Sequence, residues 1–425
     1  MNKFYKSLFQ EPYLDRIQIF LIIIISLMPI LLVTGPFLSD LALSISSLIF
    51  LIYAIKNKIK KFFLNYFFFI FIIFWLYILI RSLLSDYILL SLESSLFYFR
   101  FTIFASLVFY LLYSFETFRK LSFFVIFITF SFLILDGFIE FFFQHNIVGL
   151  KRLDVNRLTG FFREEQVLGI YLVRLLPYLV FLYLINNFKK KYDYLIYIII
   201  SLTGIIVFLS GERSAFFLFI LFLVTTALIS KRFGKNISFF LILFLISITF
   251  ISINSKQVRD RMVLQTINDS FLNKDSGALF FSKVHESHMG SALLMFKSNV
   301  FFGKGVKTFR KFCSYPDYNI DKYSCTTHPH NTYVQLLGET GIFGFMVIFI
   351  IYIFISIKIL NLFLQRVFRK VVNSDYNEKL LFILISLLIS LWPIITNLNF
   401  FNNWINIIYF MPVGGYLLME SKNEK

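Results

Sequence analysis

The 425-residue sequence has few of the residues and motifs that mark soluble enzymes. Only 15% of its residues are charged, and only two are cysteines. It contains no Walker loop, no Rossmann glycine pattern and no G-x-S-x-G elbow, which argues against ATP-driven transport and serine hydrolysis. No H-E-x-x-H or D-x-D pattern accompanies its histidines, so we expect neither a metal nor a cofactor.

Acidic residues are also scarce. The chain has 24 Asp and Glu against 41 Lys and Arg, which gives a formal net charge of +17. Because the basic residues are scattered between apolar runs, nucleic-acid binding is not expected. Basic residues in cytoplasmic loops set the orientation of a membrane protein and contact anionic lipid heads, so membrane lipids are the expected partners of this charge.

Apolar residues are abundant, at 58% of the chain. Runs of roughly 18 or more apolar residues can cross a bilayer as helices. The sequence therefore predicts an all-α, polytopic integral membrane helical bundle with about twelve transmembrane helices. The predicted segments are roughly 17–34, 37–55, 62–80, 100–115, 121–143, 167–186, 194–210, 214–230, 237–253, 331–360, 380–397 and 400–418.

Short basic links follow every even-numbered segment, which places these links and both termini in the cytoplasm. The links carry their basic residues within 56–61, 119–120, 189–191, 231–235, 366–370 and 422–425. We therefore predict a transmembrane bundle at 1–253, one large periplasmic loop at 254–330 and a second transmembrane region at 331–425.

The large loop is expected to contain an amphipathic helix and a disulfide. Met289, Leu293 and Phe296 recur at helical spacing, which is typical of a helix packed against the bundle. Cys313 and Cys325 are the only cysteines, and an oxidising periplasm would join them. We favour this disulfide, and two free buried thiols are the alternative.

Several arginines are predicted to lie on the outer side or at membrane depth, where a cation is costly unless an anion pairs with it. Arg157 and Arg163 lie in an outer loop, Arg174 in the sixth apolar run and Arg213 in a short outer link. Each could snorkel or pair with a carboxylate. For the group, phosphate or pyrophosphate is the better explanation, because guanidinium groups bind these oxygens bidentately.

His330 lies where the outer loop meets the tenth apolar run, a place suited to proton transfer on a membrane-borne substrate. Asn331 could hold its imidazole or a substrate hydroxyl. His328, His288 and Arg310 are further candidates for supporting the site or binding the acceptor.

The helix after His330 has a predicted start and a predicted contact face. We expect one of residues 326–328 to cap it, with Pro329 in its first turn. Gly338, Gly341 and Gly344 repeat every third residue, so they should lie near one face and allow a neighbouring helix to approach closely.

A longer motif includes His330. The pair His330-Asn331, nine residues and then Gly341-Ile-Phe-Gly344 resembles the H-[N/S/Q]-x9-G-x-x-[G/T/Y] signature of bacterial O-antigen ligases. The surrounding frame is also similar to the O-antigen ligase and polymerase superfamily. That frame comprises R-L-T-G-F-F from Arg157, the arginine at 213 and the F-G-x-G-x-x-x-F-R turn ending at Arg310.

The resemblance implies a metal-independent glycosyltransferase of the bacterial inner membrane. It would transfer a glycan from an undecaprenyl pyrophosphate carrier to lipid A-core at the periplasmic face. His330 would act as general base and Arg157 and Arg213 would hold the pyrophosphate, helped by Arg163 or Arg174. Family members often have an arginine before the loop helix, where this chain reads K-V-H-E-S-H from position 283.

Two other functions stay open at this stage. An O-antigen polymerase would join carrier-linked repeat units at the same kind of site, and ligase-like relatives attach glycans to proteins. A flippase or transporter for lipid-linked oligosaccharide is the alternative of another class, because intramembrane charges such as Arg174 and Asp136 often mark substrate paths.

Overall fold

The computed structural model describes residues 14–268, 281–368 and 375–423, which form an all-helical protein. The predicted cytoplasmic residues 369–370 and 424–425 lie outside these ranges. The helices of the first half are α1 (Arg16–Ser26), α2 (Met28–Val33), α3 (Pro36–Lys56), α4 (Tyr66–Leu83), α5 (Ile88–Ser95), α6 (Phe99–Ser114), α7 (Glu116–Phe143), α8 (Leu168–Ile185), α9 (Asp193–Leu209), α10 (Arg213–Ile229) and α11 (Gly234–Asn254).

The second half contains the loop helices and the last long helices. They are α12 (Lys256–Arg259), a π-helical turn (Asp260–Leu264), α13 (Gln265–Ile267), α14 (Lys283–Ser298), α15 (Phe309–Phe312), α16 (Thr332–Phe368), α17 (Asp375–Ser390) and α18 (Asn403–Asn423).

Eight helical stretches among the described residues are long and apolar enough to cross a membrane, judged by length and composition. They are Pro36–Lys56, Tyr66–Leu83, Ile88–Ser114, Glu116–Phe143, Leu168–Ile185, Lys190–Leu209, Gly234–Asn254 and Thr332–Phe368. The all-helical membrane architecture is thereby confirmed, whereas the count of about twelve spans and the side of the large loop stay predictions.

Two predicted segments are divided or cut short by several residues in the structure. The first is divided into α1 and α2, and Pro29 lies in the first turn of α2. The segment predicted at 380–397 ends as a helix at Ser390. Pro393 follows three residues later, and a residue ahead of proline is disfavoured in helical conformation. The chain after Ser390 is therefore irregular, and this irregular stretch contacts the candidate site.

Helix α8 forms the centre of the bundle. All 18 of its residues are buried, because α7, α9, α10, α17 and α18 pack around it. Its one charged side chain, Arg174, is among the fully buried residues. A buried cation is costly unless polar groups bind it. Arg174 therefore needs polar partners inside the bundle.

Helix α16 is interrupted at Gly341, whose φ of 65° is not helical. A Cβ atom there would collide with the backbone carbonyl of Phe301, so only glycine fits. The glycines at 338, 341 and 344 therefore do not form one face of a continuous helix. Gly338 instead lies against Ala292 of α14, and Gly344 approaches Tyr77 of α4.

Helix α14 is the amphipathic helix of the large loop, and it packs against α16. Met289, Ala292 and Met295 are buried, whereas Leu293 is 38% exposed. The predicted stripe through Leu293 was therefore wrong in register, since residues three apart face the same side. Met289 is the member of that stripe that is buried in the structure.

A disulfide closes the large loop on itself, and Glu339 fastens the loop to α16. Cys313 and Cys325 form a disulfide with a Cα–Cα distance of 5.1 Å. The carboxylate of Glu339 accepts hydrogen bonds from the backbone N–H groups of Lys307 at 2.9 Å and Phe309 at 3.1 Å. Glu339 thus binds the backbone of the loop and does not pair with His330.

Candidate active site

His330 adopts an unusual backbone conformation just before α16. Its φ is 57°, in the left-handed region that a residue with a side chain rarely enters. The helix therefore starts after it, and Asn331 is the capping residue. The Asn331 side-chain oxygen accepts from the backbone N–H groups of Tyr333 at 3.0 Å and Val334 at 3.1 Å. The expected cap at 326–328 was one turn too early.

Asn331 also anchors the irregular stretch after α17. Its side-chain amide donates to the carbonyls of Pro393 at 2.8 Å and Ile395 at 3.2 Å. All the polar groups of this side chain are thus occupied by backbone. The structure therefore uses Asn331 to fix the position of His330, not to hold an imidazole.

Asn397 is the second residue that holds this turn. Its backbone N–H donates to the carbonyl of His330 at 2.6 Å, and its own carbonyl lies 3.2 Å from Nε2 of His328. Its side-chain oxygen accepts from Nη2 of Arg174 at 2.6 Å, and Nη1 of Arg174 donates to Tyr409 at 2.9 Å. The buried cation of α8 is therefore connected to the His330 turn through Asn397.

Four histidines gather around this turn. The ring centroid of His330 lies 4.1 Å from that of His328, 4.9 Å from that of His285 and 5.3 Å from that of His288. His285 and His288 come from the first turns of α14, so the loop helix brings them to His330. The cluster of His285, His288, His328 and His330 is called the histidine cluster below.

The histidine cluster is neutral at physiological pH. Burial, followed by the neighbouring histidines, lowers the pKa of His330 to about 3. Burial is also the main cause that lowers the pKa of His328 to about 4 and that of His285 to about 4. A neutral imidazole has one nitrogen with a free lone pair, which can accept a proton or bind a metal ion.

Three arginines lie within electrostatic range of the cluster. The charges of Arg213, Arg157 and Arg261 each contribute to the lowered pKa of His285. Burial lowers the pKa of Arg157 itself, and Glu212 and Asp154 oppose that effect. The half-buried arginines therefore form a positive region beside neutral imidazoles, an arrangement suited to a strongly anionic group.

The turn before α10 brings two of these arginines together. Gly211 has a φ of 71°, and a Cβ there would lie 2.5 Å from the carbonyl of Asn156. Side-chain atoms of Arg157 and Arg261 lie within 3.4 Å of the same point. The 3.3 Å hydrogen bond from Nε of Arg261 to the Gly211 carbonyl holds the π-helical turn against this link.

The structure places the other predicted site residues as follows. Arg310 is half-buried, its Nε has no hydrogen-bond partner, and its charge acts on His328. Arg163 is exposed in the turn before α8 and is not among the cations that act on His285. Arg174 is enclosed in the bundle with Asn397 and Tyr409.

Sequence reasoning missed two members of this site. His285 was noted only where the family often has arginine, although its spacing of three from His288 puts both rings on one helical face. Arg261 had no signal of its own, because its place depends on how the large loop folds back over the α9–α10 link. The ligand atoms of His285, His288 and His330 lie within 4.8 Å of one another, a set that could hold a metal ion.

One part of the chain is similar to a known protein family. Residues 197–349 match the family model described as O-antigen ligase. The matched region runs from α9 into α16 and includes the whole histidine cluster, Arg213 and Arg261, whereas Arg157 and Arg174 precede it. No curated protein matches the sequence.

The match and the apolar helices together indicate a multi-pass inner-membrane protein with a glycosyltransferase-like activity on lipid-linked glycans. Residues 197–349 are thus similar to the O-antigen ligase family, which supports the resemblance to the O-antigen ligase superfamily.

Proposed function

We propose that the protein transfers a glycan from undecaprenyl pyrophosphate to lipid A-core at the periplasmic face, as a metal-independent O-antigen ligase with both termini in the cytoplasm. The observation that carries the proposal is the position of neutral His330 in a cluster flanked by Arg157 and Arg213. The family match supports the general class of activity.

The arginines would bind the donor. A polyprenyl pyrophosphate leaves with developing negative charge, which preorganised cations stabilise more in the transition state than in the ground state. Arg157 and Arg213 fill this role, and we add Arg261 because its charge also reaches His285. Each guanidinium can present two parallel N–H groups to phosphate oxygens.

His330 would activate the acceptor. The acceptor hydroxyl attacks the anomeric carbon, the bond from that carbon to the pyrophosphate oxygen breaks, and the electron pair leaves with the pyrophosphate. The hydroxyl proton passes to the imidazole of His330. A nearby bound diphosphate raises the pKa of this histidine from its low value, because opposite charge favours the imidazolium form. One displacement of this kind inverts the anomeric centre.

The remaining residues would position these groups. Asn331 and Asn397 hold the His330 turn, and Arg174 supports Asn397 from the core. His328 packs on His330, and Arg310 and His288 would contact the acceptor. Exposed Arg163 would meet the donor only at the outer edge of the site.

The proposal is tested by reconstitution in lipid vesicles with carrier-linked glycan and lipid A-core. Ligated product is expected without added nucleotide or divalent metal. The Arg157→Ala and Arg213→Ala variants should lose product while remaining folded. Movement of the carrier-linked glycan across the bilayer with no new covalent product would instead indicate a flippase.

A second assay separates the ligase from the polymerase, since both would use the same donor site. Carrier-linked repeat units alone are offered as donor and acceptor. A ligase leaves them unjoined, whereas a polymerase lengthens the carrier-linked chain. Lengthening without transfer to lipid A-core would replace the proposed acceptor and leave the proposed donor site in place.

A further inference from the structure

Three members of the histidine cluster are arranged around a common point. His285 and His288 come from α14 and His330 from the turn before α16, and one ring nitrogen of each lies within 4.8 Å of the other two. We propose that His285, His288 and His330 bind a divalent transition metal ion such as Zn²⁺, and that the bound metal takes His330 out of proton transfer.

Unpartnered nitrogens support a ligand at this point. Nδ1 of His288 and Nδ1 of His285 are buried and have no hydrogen-bond partner. His288 is only 5% exposed. A buried polar atom without a hydrogen bond costs about 1–3 kcal/mol. Two such atoms beside one another are accounted for if the site binds a ligand through imidazole lone pairs.

The chemistry of the site selects the metal class. Three neutral imidazoles suit zinc, copper or nickel, whereas Mg²⁺ and Ca²⁺ prefer oxygen ligands. Metal–nitrogen bonds of about 2.0–2.1 Å in a tetrahedral site place ligand nitrogens roughly 3.3 Å apart. The ligand nitrogens now lie up to 4.8 Å apart, so they must approach one another by about 1.5 Å to bind a metal ion. Side-chain rotation supplies such a movement.

Neighbouring charges act in both directions. Burial lowers the pKa of His288, and the negative charge of Asp321 opposes that effect and favours a cation there. Asp321 also accepts a hydrogen bond of 2.7 Å from Ser287. The charges of Arg157, Arg213 and Arg261 oppose a cation at His285. The metal is therefore expected to bind reversibly and to be removed by a chelator.

Metal binding would act on the proposed reaction. The lone pair of His330 that would accept the acceptor proton is the pair that a metal ion coordinates. This consequence rests on the proposed function of His330 as general base. Turnover would then proceed without metal and stop when the site is filled.

Binding is measured on untagged protein in detergent, because a polyhistidine tag would itself bind metal. The protein is stripped with chelator and titrated with Co²⁺, followed by ligand-field absorption, and with Zn²⁺ in competition. A tetrahedral signal with one equivalent of metal is expected. Losing an outer-shell partner lowers metal affinity about 10–100-fold, and losing a direct ligand costs at least as much. His285→Ala and His288→Gln should show losses of that size.

His145→Ala is the matched control, because His145 is exposed in another loop. Its metal affinity should equal that of the wild type. Its elution in size-exclusion chromatography is the reference for a histidine variant that remains folded. Unchanged metal affinity in both the His285 and His288 variants would overturn the site, as would a wild-type protein that gives no signal. A loss in His145→Ala would place the metal elsewhere and also overturn it.

Zn²⁺ is then added to the transfer assay. Inhibition that chelator reverses in the wild type supports both the site and its consequence. Binding without inhibition would keep the metal site and refute the base role of His330. A wild-type protein that transfers glycan but binds no Co²⁺ would refute the site and leave the proposed function standing.

Discussion

The backbone N–H of Asn397 donates a 2.6 Å hydrogen bond to the carbonyl of His330. This bond joins the irregular stretch after α17 to the strained turn before α16. The side chain of the same asparagine binds Nη2 of Arg174 at 2.6 Å. The position of the candidate base therefore depends on Arg174, a fully buried arginine outside the histidine cluster.

Replacing Asn397 tests this dependence. Asn397→Ala leaves Nη2 of Arg174 without its acceptor, in addition to Nε, which already has none. We expect a loss of about 1–3 kcal/mol in stability and a fall in turnover with little change in donor affinity. Asn397→Asp should recover much of the stability, because a carboxylate can bind the guanidinium. Thermal unfolding and the transfer assay measure both effects, and Asn319→Ala is an exposed control. An Asn397→Ala protein as stable and active as the wild type would contradict the link.

Arg157 and Arg213 should support turnover better than lysine would at the same positions. Arg213→Ala or Arg157→Ala should lower turnover roughly 100-fold, the size expected for a lost donor to a developing negative charge. Arg213→Lys should recover part of this, since lysine supplies a charge without the bidentate fork. Arg16→Ala removes an exposed arginine at the start of α1 and should have no effect. Equal activity of Arg213→Ala and Arg16→Ala would remove the arginine from the site.

The disulfide should stabilise the large loop. Cys313 and Cys325 are separated by 12 residues, and a loop of about that size gives roughly 3 kcal/mol in the chain-entropy description. The double variant with both cysteines changed to alanine should unfold at a lower temperature than the wild type. Reductant should not change its unfolding temperature. Reductant should bring the wild type to the same unfolding temperature. If reductant changes neither its stability nor its gel mobility, the bond does not form.

The buried carboxyl group of Glu212 should make the stability of the protein depend on pH. Its carboxylate accepts from the backbone N–H groups of Gly169 at 2.6 Å and Ile170 at 3.0 Å, and burial raises its pKa from 4.5 to about 7. Between these values the folded state binds more protons than the unfolded state. Stability that is fully present below pH 4.5 is therefore lost as the pH rises through 7.

Glu212→Gln should flatten this part of the pH profile, because glutamine does not titrate. Thermal unfolding at several pH values between 4.5 and 7 measures the slope. Glu165→Gln removes an exposed carboxylate and should keep the wild-type slope. The same slope in Glu212→Gln as in the wild type would show that this carboxyl group is not the cause.

The sequence predicted most helices because apolar runs of this length have few other stable forms in a bilayer. The prediction was wrong where a single residue breaks or ends a helix. Gly341 breaks α16 because the loop backbone at Phe301 crosses it, and nothing in the local pattern shows that crossing. Pro393 can be read from the sequence. The contact between the irregular stretch around it and the His330 turn is seen only in the structure.

The candidate site divides in the same way. His330 lies at a boundary between polar and apolar sequence, so its position could be predicted. Arg157 and Arg213 could be predicted as cations on the outer side of the membrane. His285 and Arg261 reach the site through the folding of the large loop, a relation between residues far apart in sequence. Their contribution required the three-dimensional arrangement.

The most direct test of the central claim compares donor binding and turnover in His330→Ala. A lost general base lowers the rate about 10²–10⁴-fold, while the arginines still bind the carrier pyrophosphate. The variant should therefore bind the carrier-linked glycan like the wild type and transfer it at a rate reduced by that factor, with His145→Ala fully active. Full turnover by His330→Ala would contradict the account.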